Sequence, residues 1–158
     1  MPRKPRPVWG TDAWIERTRV ILDSFERFVG RELIPHASSL AETARQLYEA
    51  PFVLVAHGTE DDPILNYANQ TALNLWETDL DTLLKMPSRQ TAEPMHRDER
   101  ARMLETTRQQ GYIDDYRGVR ISAAGKRFRI ERAIVWNLID STGLAAGQAA
   151  TFSDWTPL

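Results

Sequence analysis

The stretch from Phe128 to Leu138 constrains the fold of this chain more than any other, because its apolar side chains recur at every second position. A period of two is that of a β-strand, in which alternate side chains point to opposite faces of a sheet. The apolar members of this pattern are Phe128, Ile130, Ile134, Trp136 and Leu138, with Arg132 as the only polar residue among them. The pattern therefore predicts a strand whose apolar face is buried against another part of the protein.

Two further β-rich runs flank this strand. Residues 116–122 precede it, and the short loop between them contains Gly125, which supplies the positive φ that a tight hairpin needs. Residues 146–153 follow it after a turn at 140–143. Three consecutive antiparallel strands are predicted from this order, in the form of a meander.

The rest of the chain is predicted to contain helices and two more strands. Ser39 with Glu42 forms a capping box, and Thr11, Asn69 and Asp79 are typical N-cap residues. The predicted helices span residues 12–29, 40–49, 70–76, 80–84 and 97–110, and the additional strands span 51–57 and 64–68. Because strands and helices do not alternate regularly, an α+β fold is favoured over a doubly wound parallel sheet.

Composition limits the possible functions. At 158 residues, with 42% hydrophobic and 27% charged residues, the chain suits one globular domain. Its formal net charge of -2 gives no broad attraction to nucleic acid or to anionic membranes, and no apolar run approaches transmembrane length. A cytoplasmic protein without nucleic-acid or membrane partners is expected. The absence of cysteine excludes disulfides, zinc-thiolate sites and thiol catalysis.

Several short motifs, in a fixed order, resemble the MEKHLA domain family. They are Asn66-Tyr67-Ala68-Asn69 with Leu75-Trp76, Pro87-Ser88-Arg89 with Ala92-Glu93-Pro94, Arg120-Ile121-Ser122 with Gly125, Val135-Trp136-Asn137-Leu138 with Asp140, and Gly147-Gln148-Ala149-Ala150 with Phe152. The family is a PAS-related module, found at the C-terminus of plant homeodomain leucine-zipper proteins and as small bacterial proteins. The resemblance covers residues 47–155 and implies a PAS-like five-stranded antiparallel sheet with helices on one face.

The resemblance also implies a sensory or regulatory function, and together with the residues that precede the matched region it predicts a division of the chain. Residues 1–10 are expected to form a disordered basic tail, residues 11–46 an N-terminal helical segment that covers the outer sheet face, and residues 47–158 the MEKHLA/PAS-like domain. The DNA-binding domains of the plant proteins are not carried over. The sequence identifies no cofactor.

Comparison with flavin-binding PAS domains implies that Arg120, Glu131 and Phe152 stand where those domains place cofactor-contacting side chains. Strand alternation brings Asn137 and Gln148 to the same inward face. A few convergent polar groups beside small side chains are usual in a small-molecule pocket. The predicted ligand-binding residues are Arg120, Glu131, Gln148, Asn137, Arg89, Ser88, Phe152, Trp76 and Tyr116.

Ser88 and Arg89 lie near the positions of the photoactive cysteine and of a phosphate-contacting arginine in those flavin-binding relatives. A serine cannot form the thioether adduct, so that light chemistry is excluded, while non-covalent flavin binding stays open. Arg89 could instead contact loop carbonyls. Arg120 could pair with Glu131 on the neighbouring strand, which would satisfy both charges without a ligand.

The outer face of the sheet needs a cover, because Ile130, Ile134 and Trp136 would form a larger apolar patch than monomers usually expose. The N-terminal helix is amphipathic and is expected to lie over this face, on its own sheet or on that of a second chain. We therefore predict a homodimer through this helix and the outer sheet face.

The sequence favours a non-enzymatic sensory domain that binds a small molecule between sheet and helices and signals through a dimer or a partner protein. One alternative is a small enzyme that uses an internal Arg120–Glu131 pair for proton transfer. Another is an interaction module whose core is filled by Trp76, Met86, Tyr116 and Phe152. The three histidines, His36, His57 and His96, are not at metal-ligand spacing, and no metal site is predicted.

Overall fold

A single antiparallel sheet organises the part of the chain that the computed structural model describes, residues 7–158. Its strands are β1 (Val53–His57), β2 (Leu65–Ala68), β3 (Tyr112–Ile121), β4 (Arg127–Ile139), β5 (Ala145–Phe152) and β6 (Asp154–Pro157). They are ordered β2-β1-β5-β4-β3, and β6 pairs with the first half of β4. The α+β class predicted from the sequence is therefore confirmed, and β6 is the strand that the sequence pattern missed.

The helices begin where side chains cap them. They are α1 (Asp12–Val29), α2 (Leu40–Tyr48), α3 (Gln70–Trp76), α4 (Leu80–Leu83) and α5 (Arg97–Gln110). The side chains of Thr11, Ser39, Asn69 and Asp79 each accept a hydrogen bond from a backbone N–H in the first turn of α1 to α4. Among residues 7–158, no helix is long and apolar enough to cross a lipid bilayer.

The N-terminal tail was predicted to be disordered over residues 1–10. Residues 1–6 lie outside the described residues. Val8–Gly10 instead form one turn of 3-10 helix, and Val8 and Trp9 pack against the apolar cluster beneath α1. For residues 8–10 the prediction of a disordered tail is therefore wrong.

β3 and β4 each contain a β-bulge part-way along their length, and beyond it the side chains point to the opposite faces of the sheet. The extra residue in β4 is Arg132, with a φ of 50°, and the extra residue in β3 is Asp115, with a φ of 57°. They lie on either side of the Tyr116–Ala133 pair. An extra residue reverses the alternation of every side chain beyond it. Because both strands carry a bulge at almost the same level, they reverse together and remain paired.

This reversal divides the apolar residues of β4 between two clusters. Phe128 and Ile130 lie in the cluster on the inner face, beside α3 and α4. Trp136 and Leu138 lie in the cluster on the outer face, beside α1 and α2, with Ile134 packed against it. The prediction that all five share one outer face is therefore wrong for Phe128 and Ile130. Strict alternation could not indicate this, since left-handed backbone is uncommon outside glycine.

α1 covers the outer face of its own sheet, which is one of the two arrangements expected. Phe25 is fully buried and meets the ring of Trp136 edge-on, with ring centroids 4.9 Å apart. The Nε1 of Trp136 donates to the carbonyl oxygen of Ile21 at 3.2 Å. At the other end of the contact, the backbone N–H of Ile139 donates to Ser24 Oγ at 2.9 Å. The cover is therefore held by apolar packing and by hydrogen bonds across the interface.

If α1 is an integral layer of the fold, removing its central anchor will destabilise the whole domain. We expect Phe25→Ala to lower the free energy of unfolding by about 3–5 kcal/mol, the usual cost of deleting a fully buried phenyl ring. Leu144→Ala, at a leucine that is 67% exposed, is the matched control and should change it by less than about 0.5 kcal/mol. Chemical denaturation measures both. Equal stability of the two variants would contradict the assignment of α1 to the core.

Candidate functional site

A cavity of about 60 Å³ lies between the inner face of the sheet and the segments that carry α3 and α5. Most of its wall is apolar, formed in part by Val55, Leu65, Met103, Ile130, Val135 and Phe152. Polar atoms enter it from a few positions on β1, β3, β5, α5 and the turn at Ser88. An apolar hollow with a few polar groups is the usual form of a small-molecule site.

Arg120 on β3 lines the cavity and is only 4% exposed. Its guanidinium donates to the Tyr116 hydroxyl at 3.1 Å and to the carbonyl oxygen of Val119 at 2.9 Å. It also lies 5.6 Å from the centroid of the Tyr116 ring. The Tyr116 hydroxyl in turn donates to a carboxylate oxygen of Glu99 at 3.0 Å. Within residues 7–158, the direct hydrogen-bond partners of Arg120 are therefore neutral groups.

Arg100 on α5 is the second cation in the wall of the cavity, and its importance was missed from the sequence. Its guanidinium donates to the hydroxyl of Ser88 at 2.7 Å. Burial, and next the positive charge of Arg120, lowers the pKa of Arg100 to about 10. At neutral pH the Arg100 guanidinium therefore stays charged. Helical spacing could have indicated Arg100, because it precedes the apolar anchors Met103 and Leu104 by three and four residues.

Two further polar side chains of the cavity wall have buried atoms without partners among residues 7–158. They are the Nε1 of Trp76 and the Nε2 of His57. His57 uses its other ring nitrogen, Nδ1, in a 3.0 Å contact with the carbonyl oxygen of Gly58. Burial lowers the pKa of His57, so the ring is neutral near pH 7 and Nε2 is free to accept a hydrogen bond. Both atoms lack the partner that buried polar groups normally have.

Gln148 on β5 lines the cavity and also ties α5 to the sheet. Its Nε2 donates to the carbonyl oxygen of Leu104 at 2.9 Å and to Asn137 Oδ1 at 3.1 Å. Asn137 donates from its own Nδ2 to the carbonyl oxygen of Arg108 at 3.2 Å. Asn137 therefore binds the end of α5 and does not line the cavity, contrary to its predicted place in the ligand site.

Glu131 lies on the opposite side of the sheet from the cavity, because it precedes the bulge at Arg132. It pairs with Arg117 at 2.8 Å and with Arg129 at 2.6 Å. These two arginines lower the pKa of Glu131, with the hydrogen bond from Arg129 as the largest contribution. The predicted internal pair with Arg120 does not form, and the proton-transfer enzyme that depended on that pair has no structural basis.

Arg89 does not line the cavity either. Its Nε donates to both carboxylate oxygens of Asp62, at 3.1 and 3.2 Å, on an exposed surface. Both earlier interpretations, contact with loop carbonyls and contact with a ligand anion, are replaced by this ion pair. Of the nine predicted residues, those that line the cavity are Arg120, Gln148, Ser88, Phe152, Trp76 and Tyr116.

A flavin does not fit this cavity. A volume of about 60 Å³ has room for a few water molecules, and a three-ring isoalloxazine is several times larger. The rings of Phe128 and Phe152 also meet Trp76 edge-on, at centroid distances of 5.3 and 6.2 Å, and close that end of the core. The non-covalent flavin site left open by the sequence is not supported by these residues.

One exposed cluster has ligand atoms close enough to hold a metal ion. Single ligand atoms of Glu26, Glu32 and His36 lie within 4.8 Å of one another, and all three residues are exposed. Such surface groups are common without an ion, and His36 is already 3.3 Å from a carboxylate oxygen of Glu32. No metal site is assigned to them.

Comparisons with known proteins agree with this architecture. The family model described as "MEKHLA domain" matches residues 15–157. The match begins within α1, so it includes most of the helical segment that was expected to precede the family module. Among curated proteins, the rice homeobox-leucine zipper proteins HOX29 and HOX9 (Oryza sativa subsp. indica) are 26% and 23% identical over 142 and 139 residues. These matches cover 87% of this chain and only 16% of the rice proteins.

Solved structures with the same fold are PAS and light-oxygen-voltage domains. A PAS domain from Colwellia psychrerythraea superposes with a TM-score of 0.62 at 12% identity, over 71% of this chain and 92% of that one. An RNA-binding light-oxygen-voltage receptor gives a TM-score of 0.62 at 16% identity, over 75% of this chain and 34% of that one. The PAS-like fold expected from the sequence is thereby confirmed. Since the family model covers nearly all of it, this chain belongs to the MEKHLA domain family, a PAS-related module.

Proposed function

We propose that this domain is a non-enzymatic sensory module, which takes up a small molecule in the cavity and passes the resulting change to a partner. The observation that carries this proposal is the set of buried polar groups around the cavity that lack partners of their own among residues 7–158. Trp76 Nε1 and His57 Nε2 have no hydrogen bond there, and Arg120 has only neutral partners. A bound molecule would supply the missing contacts.

The family supports a sensory role in general terms. Structures that share the fold include the blue-light photoreceptor Aureochrome1 and other light-oxygen-voltage domains. Their light response is not transferred, because the cavity here does not fit a flavin and the chain has no cysteine. The homeobox-leucine zipper relatives are about six times longer than the matched region, so their whole-protein activity is not transferred either.

A route for the signal leads from the cavity through α5 to α1. α5 carries Arg100, and the side chains of Gln148 and Asn137 on the sheet donate hydrogen bonds to its backbone carbonyls. Its end at Gly111, where φ is 92°, lies so close to Phe28 of α1 that an added Cβ would be 2.8 Å from the Phe28 ring. A ligand that binds Arg100 can therefore shift α5 and, through this contact, α1.

A second candidate is an interaction module that takes up no ligand. The small volume of the cavity favours it. Of the four residues that this alternative named, Trp76 and Phe152 are buried in the inner cluster, and Met86 and Tyr116 pack against it. The two candidates differ in one respect: a sensor binds a molecule in the cavity and is affected when the cavity is filled.

Filling the cavity should abolish ligand binding without unfolding the domain. We expect at least one compound in a panel of common metabolites to raise the melting temperature of the wild-type protein. At a free concentration of about 100 times Kd, the ligand would add about 2.7 kcal/mol of stability. Ala133→Leu places a larger side chain at a buried position in the cavity wall and should remove this increase.

Ala101→Leu, at an exposed position on α5, is the matched control and should respond like the wild type. Native mass spectrometry of freshly purified protein measures any ligand that is retained. If no compound raises the melting temperature, and none is retained, the interaction module is the better assignment. A ligand that binds Ala133→Leu as tightly as the wild type would place the site elsewhere.

The proposal also includes output through a homodimer or another protein, with an interface different from the one first predicted. Ile134 and Trp136 are covered by α1 of the same chain, and Ile130 lies in the inner cluster. None of them is free to meet a second copy unless α1 moves. The exposed residues of α1 are Asp12, Ala13, Glu16, Asp23, Glu26 and Arg27, and Arg19 forms salt bridges with Glu16 and Asp23. Because nearly all of these exposed residues are charged, and charged residues are depleted at the centre of protein interfaces, dimerisation through packed α1 is expected to be weak.

Displacing α1 should therefore strengthen self-association. We expect light scattering to give a wild-type mass near that of one chain at low micromolar concentration, rising reversibly as concentration increases. Phe25→Ala loosens α1 and should raise the dimer fraction at equal concentration, because it uncovers apolar surface around Trp136. A tight wild-type dimer that Phe25→Ala dissociates would contradict this prediction and would place packed α1 in the dimer interface.

A further inference from the structure

Two guanidinium groups face the same small cavity, and neither has a carboxylate partner in the part of the chain that the structure describes. Arg100 and Arg120 both line it. Among the salt bridges within residues 7–158, none includes either of them. Their hydrogen bonds within this part of the chain go to the hydroxyls of Ser88 and Tyr116 and to the carbonyl oxygen of Val119. A guanidinium has five N–H donors, so most of the donors of this pair are left for other partners.

The nearest acidic groups compensate these charges only indirectly. Glu99 accepts a hydrogen bond from the Tyr116 hydroxyl and so reaches Arg120 only through that phenol. Asp62 attracts Arg100 from a distance and already forms an ion pair with Arg89. Arg120 is buried and Arg100 is partly buried. Buried charges in proteins are normally paired, and each of two like charges at one cavity raises the free-energy cost of burying the other. An anion between Arg100 and Arg120 would remove that cost.

The rest of the cavity limits the form of the anion. Its wall beyond the arginines is largely apolar, including Val55, Leu65, Ile130 and Val135. Its volume of about 60 Å³ leaves space for only a few non-hydrogen atoms. A fully polar anion such as phosphate would leave oxygens against hydrocarbon, which costs free energy. A small molecule with one charged end and a short apolar end fits the arginines and the apolar wall. Its carboxylate has no proton to donate to His57 Nε2, so that atom needs a water molecule as its donor.

We propose that the cavity binds a short-chain monocarboxylate, with the carboxylate held by Arg100 and Arg120 and the carbon chain against the apolar wall. This inference rests on the proposed sensory function and adds the chemical class of its ligand. Guanidinium groups bind carboxylates through paired, charge-assisted hydrogen bonds, which are about twice as strong as neutral ones. Because Arg100 belongs to α5, the bound carboxylate would contact directly the helix that is proposed to transmit the signal.

Isothermal titration calorimetry with sodium propionate and propionamide tests whether binding requires the negative charge of the ligand. The two compounds have nearly the same size and differ in that charge. At equal ionic strength, set with sodium chloride, we expect propionate to bind the wild-type protein at least about tenfold more tightly than propionamide. Sodium octanoate, which is too long for the cavity, and inorganic phosphate, which lacks an apolar end, should both bind more weakly than propionate.

Substitutions test whether Arg100 and Arg120 bind the carboxylate. Arg120→Gln and Arg100→Gln should each weaken propionate binding at least about tenfold. Arg117→Gln is the matched control, since Arg117 lies on the same strand but pairs with Glu131 outside the cavity, and it should bind propionate like the wild type. Far-UV circular dichroism checks that each variant is folded. If Arg120→Gln does not fold, Arg100→Gln and the comparison of propionate with propionamide decide the outcome.

The results separate this inference from the function on which it rests. Equal binding of propionate and propionamide, or binding of phosphate alone, would overturn the monocarboxylate. A neutral metabolite that binds the wild-type protein but not Ala133→Leu would also overturn the monocarboxylate. In that case the proposed sensory function would still stand. If no carboxylate and no member of the metabolite panel binds, both proposals fail together.

Discussion

The reversal of β4 at Arg132 determines what each side of this domain contains. One strand supplies Phe128 and Ile130 to the inner cluster and Trp136 to the outer one, because a residue with positive φ lies between them. Such a conformation outside glycine costs free energy and persists only where the surrounding packing fixes it. The matching bulge at Asp115 keeps the neighbouring strand in register, so the two strands change faces together. A long strand can then contribute to both helical layers without a break in the sheet.

The same reversal separates the charges that the sequence had suggested would neutralise one another. Arg120 stays in the cavity, while Glu131 reaches the outer surface and pairs with Arg117 and Arg129. The inner core therefore retains positive charge, which lowers its stability when empty and favours an anionic partner. The helix that carries Arg100 also accepts hydrogen bonds from Gln148 and Asn137 on the sheet. In the proposed function, an anion bound at Arg100 would act on a helix whose end contacts Phe28 of α1.

Much of the fold could be predicted from the sequence, and less of the site. Capping residues such as Ser39 and Asn69 locate the helices because the same side chains satisfy the first-turn N–H groups in the structure. The period of two identifies β4 but not its reversal, since an arginine in left-handed conformation has no signature of its own. Arg132, the one polar residue on the predicted apolar face, was the only trace of it. Every error about which face a residue of β4 occupies follows from that position.

The arrangement of β4 can be measured directly by nuclear Overhauser contacts between aromatic rings on its two halves. The ring centroids of Phe128 and Trp76 are 5.3 Å apart on the inner side, and those of Trp136 and Phe25 are 4.9 Å apart on the outer side. We expect ring-to-ring contacts in both pairs and none between Phe128 and Phe25. Contacts of Phe128 and Trp136 with the same helix would mean that the strand keeps one face throughout. In that case the bulge, the unpaired Arg120 and the proposed anion site would all be wrong.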